Sequence, residues 1–457
     1  MNFYKQFSVI YLLLIFLASY SLYGQKQTGL VSGPRADFIQ LRNTTIWLEV
    51  APSVIKVEIK YHDSANLQDQ HIVSYKGQLG KEFNPIKIEL NGLKMNTTYA
   101  YAVVLNGKPV PFPYTLKFKT KDLWQWRKPA PDFNFLTGSC AYFNEPIYDR
   151  PGKPYGGDSS IFETMADTKA AFNVWLGDNW YTRESDYFTK WGMQYRAHHD
   201  MSLPVLQRFM SSMPQYATWD DHDYGPDDEG KSFILKDESR KIFMDYWCNP
   251  SFGEDGKGIY TQISYGDVDL FLTDDRYFRS EDGIFDSING KPNNDKSFFG
   301  RRQLDWLENA LVYSRSTFRI IAVGSQVLNP YIPSNVEGMF RYSAEFNELL
   351  DFIKRQKITG VLFITGDRHH SEVIKMEREN AYTLYDITTS PFTAGISKVE
   401  GREKSNPFRV SGTLVEQQNF ANISISGGKN DRTLKVEFIG LKGKKLGEWM
   451  INEQQLK

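Results

Sequence analysis

The sequence has few cysteines, almost no net charge and only one long apolar run. Cys140 and Cys248 are the only cysteines among 457 residues, so a disulfide framework is excluded. The 54 Lys and Arg residues balance 55 Asp and Glu residues, without the basic excess typical of proteins that coat nucleic acids. No internal repeat and no low-complexity tract occurs. We therefore expect a globular protein without a nucleic-acid-binding module.

The single apolar run lies near the N-terminus. It extends from Val9 to about Leu17, follows Lys5, and leads into small and polar residues that end at Gln25. A positively charged start, a short apolar run and a small residue at the expected cleavage site are typical of a secretory signal peptide. The run is too short to span a bilayer comfortably. We expect residues 1–24 to be a signal peptide and the mature chain to be periplasmic or extracellular, without a stable membrane span. A retained N-terminal anchor is the alternative.

Residues 27–122 predict a small β-sandwich. Short segments such as Thr45–Val50, Val54–Tyr61 and Tyr99–Val104 alternate apolar and polar side chains, and turn residues separate them. This pattern is typical of an antiparallel sandwich. The stretch from Leu93 to Tyr101 resembles a fibronectin type III module. The region contains no cluster of ionisable residues, which favours a structural or positioning role over an independent ligand site.

Residues 131–450 predict a second, layered α/β domain. It follows a proline-punctuated linker, Trp124–Pro131, after which apolar strands alternate with helical stretches. Ser160 and Glu163 have the spacing of a capping box, which predicts a helix that reaches about Ala171.

Five apolar segments of this region end in residues that can bind metal ions or phosphate. Each predicted strand is followed closely by such residues: Phe133–Thr137 by Cys140, Phe172–Leu176 by Asp178 and Tyr181, Tyr216–Trp219 by Asp220 to Asp223, Val268–Leu272 by Asp274 and Arg276, and Val361–Thr365 by Asp367 to His370. Loops at the carboxyl ends of strands converge in α/β sheets, so we expect one common rim. Converging carboxylates repel each other unless cations neutralise them. The pattern therefore predicts a cluster of two metals, with a carboxylate such as Asp178 as the bridge.

Each motif alone has a simpler interpretation. Cys140 could be a small buried hydrophobe, and the stretch Asp220 to Asp223 could cap a helix. The metal hypothesis depends on the order of the motifs and on their common location after strand ends.

That order resembles the alkaline phosphatase D family, a branch of the metallophosphatases. The motifs are Gly138-Ser139-Cys140, Gly177-Asp178-x-x-Tyr181, Trp219-Asp220-Asp221-His222, Asp274-x-Arg276-x-x-Arg279 and Gly366-Asp367-x-His369. The resemblance covers roughly residues 30 to 450. It implies a layered β-sandwich of the metallophosphatase type, flanked by helices and preceded by the small all-β domain. It also implies a hydrolase of small-molecule or polymeric phosphate esters.

The resemblance further implies Fe³⁺ and Ca²⁺ as cofactors. The iron ligands would be Cys140, Asp178, Tyr181, Asp367 and His369, and the calcium ligands would be the bridging Asp178 together with Asp221. Thiolate and phenolate are strong anionic donors that favour a trivalent ion, whereas carboxylates suit calcium. Asp227 stands where many members have an asparagine. It would be a charged ligand, or the occupancy of the second site would differ. His370 would contact the ligands without binding the metal itself, or have no role.

The implied chemistry is in-line attack on phosphorus by a metal-activated hydroxide. Arg276 would clamp the phosphate oxygens, and His222 would protonate the leaving alkoxide. For Arg276, an ion pair with Asp274 that closes the strand end is the alternative. Two other functions remain open: a phosphodiesterase of lipid or cell-wall polymer phosphates, and a non-enzymatic glycan-binding or adhesion protein that uses its many aromatic residues.

Overall fold

The computed structural model describes residues 29–334 and 336–457, which form two compact units. Of the described residues, the first unit contains 29–123 and 202–214, and the second contains 124–201 together with those from 215 to 457. The predicted signal peptide, residues 1–24, lies outside the described residues. Within the described ranges, no helix is both long enough and apolar enough to cross a membrane.

The first unit contains two antiparallel sheets. One has the strand order β1-β2-β5 and the other β4-β3-β6-β7, with β8 also paired to β6. The strands are β1 (Leu30–Asp37), β2 (Asn43–Val50), β3 (Val57–Asp63), β4 (Gln70–Ser74), β5 (Pro85–Asn91), β6 (Thr98–Leu105), β7 (Lys108–Pro109) and β8 (Lys117–Lys119). Alternate side chains such as Ile46, Leu48 and Ile59 are buried in one apolar core. The helix Pro204–Ser212 contacts β1, where the side chain of Gln207 accepts a hydrogen bond from Gly33 N at 2.8 Å.

The second unit contains two six-stranded sheets. Their strand orders are β11-β10-β9-β20-β21-β22 and β12-β13-β16-β17-β19-β18, and β14 pairs with β15 in a short hairpin. The strands are β9 (Phe133–Gly138), β10 (Asn173–Leu176), β11 (Gln215–Thr218), β12 (Thr261–Tyr265), β13 (Val268–Leu272), β14 (Ser287–Ile288), β15 (Lys291–Pro292), β16 (Phe318–Val323), β17 (Val361–Thr365), β18 (Glu372–Arg378), β19 (Ala381–Thr388), β20 (Asn419–Ser426), β21 (Thr433–Gly440) and β22 (Lys445–Asn452). β9, β10 and β11 are parallel, as are β13, β16 and β17, so each set ends on one side of its sheet.

Helices and short 3₁₀ turns connect these strands. The helices are Ile161–Asp167, Lys190–Met201, Asp221–Tyr224, Lys236–Tyr246, Gly300–Tyr313 and Ser343–Arg355, and the 3₁₀ turns are Met339–Arg341, Gly401–Ser405, Leu441–Gly443 and Glu453–Leu456. The first of these helices is shorter than the sequence predicts, and its capping box is not formed. Ser160 itself has helical dihedral angles, its side chain makes no capping hydrogen bond, and its N–H donates to Asp158 Oδ1 at 2.9 Å.

Two glycines allow the ends of β10, β11 and β17 to approach one another closely. Gly177 follows β10 with a φ of +90°, and a Cβ there would lie 2.5 Å from the Cβ of Asp220. Gly366 follows β17, and its Cβ would lie 2.6 Å from the carbonyl oxygen of Leu176. Only glycine fits such contacts without displacing backbone. The residues after these glycines, Asp178 and Asp367, are therefore brought to one end of the two sheets.

Candidate metal centre

Four donor side chains meet where β9, β10 and β17 end. The ligand atoms of Cys140, Asp178 and His369 all lie within 4.8 Å of one another. The hydroxyl of Tyr181 donates to Asp178 Oδ2 at 2.9 Å and lies 3.2 Å from His369 Nε2. The arrangement thus combines one thiol, one carboxylate, one phenol and one imidazole.

The backbone of this centre is strained at four predicted ligands. Cys140, Asp178, Asp367 and His369 have φ angles of 63°, 53°, 64° and 54°. Residues other than glycine seldom adopt this left-handed region, although Asp and His tolerate it better than most. Such strain persists only where the surrounding structure enforces it, and it is common at functional sites. The strain therefore supports a functional reading of these residues.

A second donor group adjoins the first and shares Asp178 with it. Asp178, Asp221 and His222 have ligand atoms within 4.8 Å of one another, and Asp221 also groups with Asp227 and Asp228. The amide of His222 donates to Asp178 Oδ1 at 3.3 Å, and that of Asp228 donates to Asp221 Oδ2 at 3.0 Å. One carboxylate between two donor groups is the usual arrangement of a bridged two-metal site.

The stretch Asp220 to Asp223 caps a helix and also contributes to the second donor group. The amide of Asp220 donates to Asp223 Oδ2 at 3.1 Å, which caps the short helix Asp221–Tyr224. Asp223 Oδ1 also accepts from the amide of Asn179 at 2.8 Å, so it fixes the turn that carries Asp178. Asp221 and His222, in contrast, belong to the donor group that contains Asp178. The helix cap is therefore part of what positions the site.

Burial makes the charged forms of these acids costly. Burial, reinforced by Asp221, Asp223 and Asp367, raises the pKa of Asp178 well above its usual range. Burial also raises the pKa of the Cys140 thiol and of the Tyr181 phenol, with Asp178 adding to both. A cation at this position would favour the ionised forms of all three groups. The donor set therefore fits a metal ion of high charge.

The imidazole of His369 fits the same conclusion. Burial lowers the pKa of His369 to about 4, so that its ring is neutral near pH 7. A neutral imidazole has a lone pair available for a metal ion.

The side chain of Arg276 is fully buried. Its Nε donates to Asp220 Oδ1 at 2.6 Å and its Nη1 donates to Glu337 Oε1 at 3.0 Å, while its Nη2 contacts both carboxylates. Asp274 accepts from the backbone amide of Arg276 and from Trp219 Nε1 at 2.8 Å. The ion-pair partners of Arg276 are thus Asp220 and Glu337.

The remaining predicted residues differ in their placement. Asp367 is partly buried, and burial together with Glu337 raises its pKa to about 7. Asp227 is exposed, with Oδ1 3.4 Å from His222 Nε2. His370 is fully buried but groups with Glu372 and Glu403 instead of the metal centre. Neither ring nitrogen of His370 has a hydrogen-bond partner among the described residues.

Several neighbours of the centre were not predicted from the sequence. The hydroxyls of Ser139 and Ser390 lie 3.2 Å from Cys140 Sγ, and the hydroxyl of Tyr155 lies 2.9 Å from His369 Nδ1. Tyr155 and Ser390 are 214 and 250 residues away from the side chains that they contact. Ser139 lies inside the recognised Gly-Ser-Cys turn, which is a local signal that could have identified it.

Comparison with known proteins identifies relatives of this chain. A family model described as PhoD-like phosphatase matches residues 135–423. Alkaline phosphatase D of Bacillus subtilis (strain 168) is 23% identical over 403 residues, which are 75% of this chain and 64% of that protein. The chain therefore spans slightly less than two thirds of the length of this relative.

Two solved structures have a similar fold. A structure of PhoD matches with a TM-score of 0.71 and 16% identity, covering 93% of this chain and 88% of the other. Purple acid phosphatase from yellow lupin (Lupinus luteus) seeds matches with a TM-score of 0.60 and 10% identity, covering 92% of this chain and 74% of the other. These matches confirm the predicted mixed α/β fold. The fibronectin III-like character of the first unit stays a prediction.

Proposed function

The chain belongs to the PhoD-like phosphatase family, and we propose that it is an exported, metal-dependent hydrolase of phosphate esters. The observation that carries the proposal is the pair of donor groups that share the buried carboxylate of Asp178. A non-enzymatic adhesion protein would have no need for a buried thiol, phenol, imidazole and carboxylate in contact at strand ends. Export depends on residues 1–24 as a signal peptide. Mass spectrometry of secreted protein that still begins at Met1 would refute that part.

We propose Fe³⁺ for the first donor group and Ca²⁺ for the second. Cys140, Asp178, Tyr181 and His369 would hold the iron. Asp367, whose charge acts on both Cys140 and Asp178, would be the fifth ligand. Asp178, Asp221 and Asp227 would hold the calcium, with the exposed Asp227 supplying a charged oxygen at the rim. When bound, the two ions supply positive charge that polarises the phosphate and activates water.

We propose that His222 delivers a proton to the leaving group. Its ring packs against that of Tyr181, with centroids 4.2 Å apart and an interplanar angle of 33°. Its Nε2 lies 3.4 Å from Asp227 Oδ1 and 3.9 Å from Asp221 Oδ2. Its Nδ1 has no hydrogen-bond partner in the described part of the chain. In the proposed mechanism the imidazole transfers a proton to the departing alkoxide, as a general acid does.

Arg276 has two possible tasks. A direct clamp on the phosphate requires its guanidinium to leave Asp220 or Glu337, which currently accept its hydrogen bonds. The alternative is that Arg276 holds Asp220, and through it the turn that carries Asp221. Its complete burial favours this supporting task, because breaking a buried ion pair leaves an unpaired charge.

Replacing Tyr181 with phenylalanine is expected to abolish or strongly shift a visible absorption band of the purified protein. A phenolate bound to Fe³⁺ donates electron density into the metal, whereas Ca²⁺ and Zn²⁺ give no such band. Iron content and activity should fall together with the band. Tyr142→Phe is the matched control, because its ring packs 5.0 Å from that of Tyr181 while its hydroxyl donates to Asp149. An unchanged spectrum and iron content in Tyr181→Phe would remove Tyr181 from the ligand set.

The proposed activity is tested with purified full-length protein and two chromogenic substrates, a phosphate monoester and a phosphate diester. Metal-dependent hydrolysis of at least one supports the proposal, and the ratio of the two rates separates a monoesterase from a diesterase of lipid or polymer phosphates. Absence of hydrolysis of both by metal-loaded protein would contradict the proposal.

A further inference from the structure

One edge of the His369 ring contacts a tyrosine from a loop that is distant in the sequence. The hydroxyl oxygen of Tyr155 lies 2.9 Å from His369 Nδ1, while Nε2 on the opposite side of the ring faces Tyr181 and the metal donors. If Nε2 is the atom that binds the metal, Nδ1 carries the proton and donates it to Tyr155. A ligating histidine generally donates its other N–H to an acceptor, which fixes the tautomer and the orientation of the ring.

Hydrogen bonds fix the backbone of the loop that carries Tyr155, and neighbouring residues pack around its ring. The side chain of Asn144 accepts from the amide of Gly156 and donates to its carbonyl, both at 2.8 Å. The Tyr155 ring packs edge-on against Tyr142, with centroids 4.9 Å apart and an interplanar angle of 79°. Behind the ring, a Cβ on Gly395 would lie 2.6 Å from Tyr155 Cε2, so the fold leaves room for the aromatic ring there. These contacts hold the hydroxyl at His369 without any help from a ligand.

We propose that Tyr155 is a positioning residue, whose hydroxyl accepts the Nδ1 proton of His369 and thereby presents Nε2 to the metal ion. The proposal rests on the proposed function, because it assumes that His369 is a ligand. Its consequence is that metal affinity at the Cys140 group depends on a loop residue that touches no metal ion.

The competing possibility is that water serves His369 equally well. Tyr155 is 45% exposed, so a water molecule can reach Nδ1 once the hydroxyl is removed. A water molecule must be immobilised at a cost, whereas the tyrosine oxygen is already fixed by the contacts of its ring and loop. The size of the effect of removing this oxygen therefore decides between the two.

The test is a Co²⁺ titration of metal-free, full-length Tyr155→Phe, followed through the near-ultraviolet band of a cobalt–thiolate bond. Loss of the band in Cys140→Ser identifies the titrated site. Tyr155→Phe keeps the ring and its packing, so thermal unfolding should be unchanged. We expect its Kd for Co²⁺ to rise by about 10–100-fold, the usual effect of removing such a partner. Tyr148→Phe removes a hydroxyl from the same loop, where the ring is exposed, and should leave the Kd unchanged.

A second readout reports the orientation of the ring directly. In NMR spectra of metal-free protein with ¹⁵N-labelled histidine, His369 should be the Nδ1–H tautomer in the wild type and a mixture in Tyr155→Phe. An equal Kd and an equal tautomer in Tyr155→Phe would refute the role of Tyr155, as would an equal loss in Tyr148→Phe. In both cases Co²⁺ binding by the wild type would still support the proposed metal centre. If the wild type shows no Cys140-dependent band, both proposals are wrong.

Discussion

Replacing Asp178 with asparagine is expected to lower kcat/KM for phosphate esters by roughly 10³-fold or more, and to reduce the metal content of both sites. The carboxylate is shared by the two donor groups, so its loss affects both ions at once. Metal ions stabilise the transition state by several kcal/mol, and each ~1.36 kcal/mol corresponds to a factor of ten in rate. The measurement combines steady-state kinetics with elemental analysis of the same preparations.

The stability of the metal-free protein, in contrast, should not fall in this variant. Asp178 is buried beside Asp221, Asp223 and Asp367; burial and the repulsion from these neighbours raise its pKa, so that ionising it without metal costs free energy. Asp178→Asn removes this repulsion, and the metal-free variant should unfold at the same or a higher temperature than the metal-free wild type. Asp305→Asn, on an exposed helix surface, is the control and should leave activity and metal content unchanged. Normal activity in Asp178→Asn would contradict the bridging role.

Replacing His222 with alanine should lower the rate for alkyl phosphates by about 10²–10⁴-fold, and should have much less effect on nitrophenyl phosphates. An alkoxide needs a proton as it departs, whereas a nitrophenolate leaves unaided. The variant is compared with wild type on one substrate of each type. His71→Ala provides a chemically matched control, since His71 is half exposed and pairs with Asp69 in the first unit.

The same variant separates two roles for His222, because its ring also groups with Asp178 and Asp221 as a possible ligand. Loss of metal together with equal rate losses on both substrates would show that His222 binds or orients a ligand. Unchanged metal content with a rate loss confined to the alkyl ester would identify the proton donor.

The strands that carry the site could be predicted from the sequence because each is a short apolar run that is followed within two residues by a glycine or an aspartate. The predicted segments Val268–Leu272 and Val361–Thr365 are β13 and β17 with the same bounds, and most of the proposed ligands directly follow such strands. The capping box at Ser160 was wrong, because Asp158 satisfies the amide of Ser160 and the helix ends at Asp167. Local pattern therefore determines strand ends better than helix ends near irregular loops.

The partners of the site residues could not be predicted, because they come from loops whose paths depend on tertiary packing. For Arg276 the sequence indicated its neighbour Asp274, whereas the guanidinium pairs with Asp220 and Glu337, 56 and 61 residues away. Tyr155 likewise reaches His369 only because the loop after Asn144 folds back onto it. No spacing rule relates such residues.

The most direct test of the central claim is the metal content of the purified full-length protein, measured together with hydrolysis. We predict one iron and one calcium ion per chain. Removal of calcium with a chelator should abolish turnover of a chromogenic phosphate ester, and added calcium should restore it. Full turnover by protein shown to contain no metal ions would contradict the claim that the two donor groups around Asp178 form a two-metal catalytic centre.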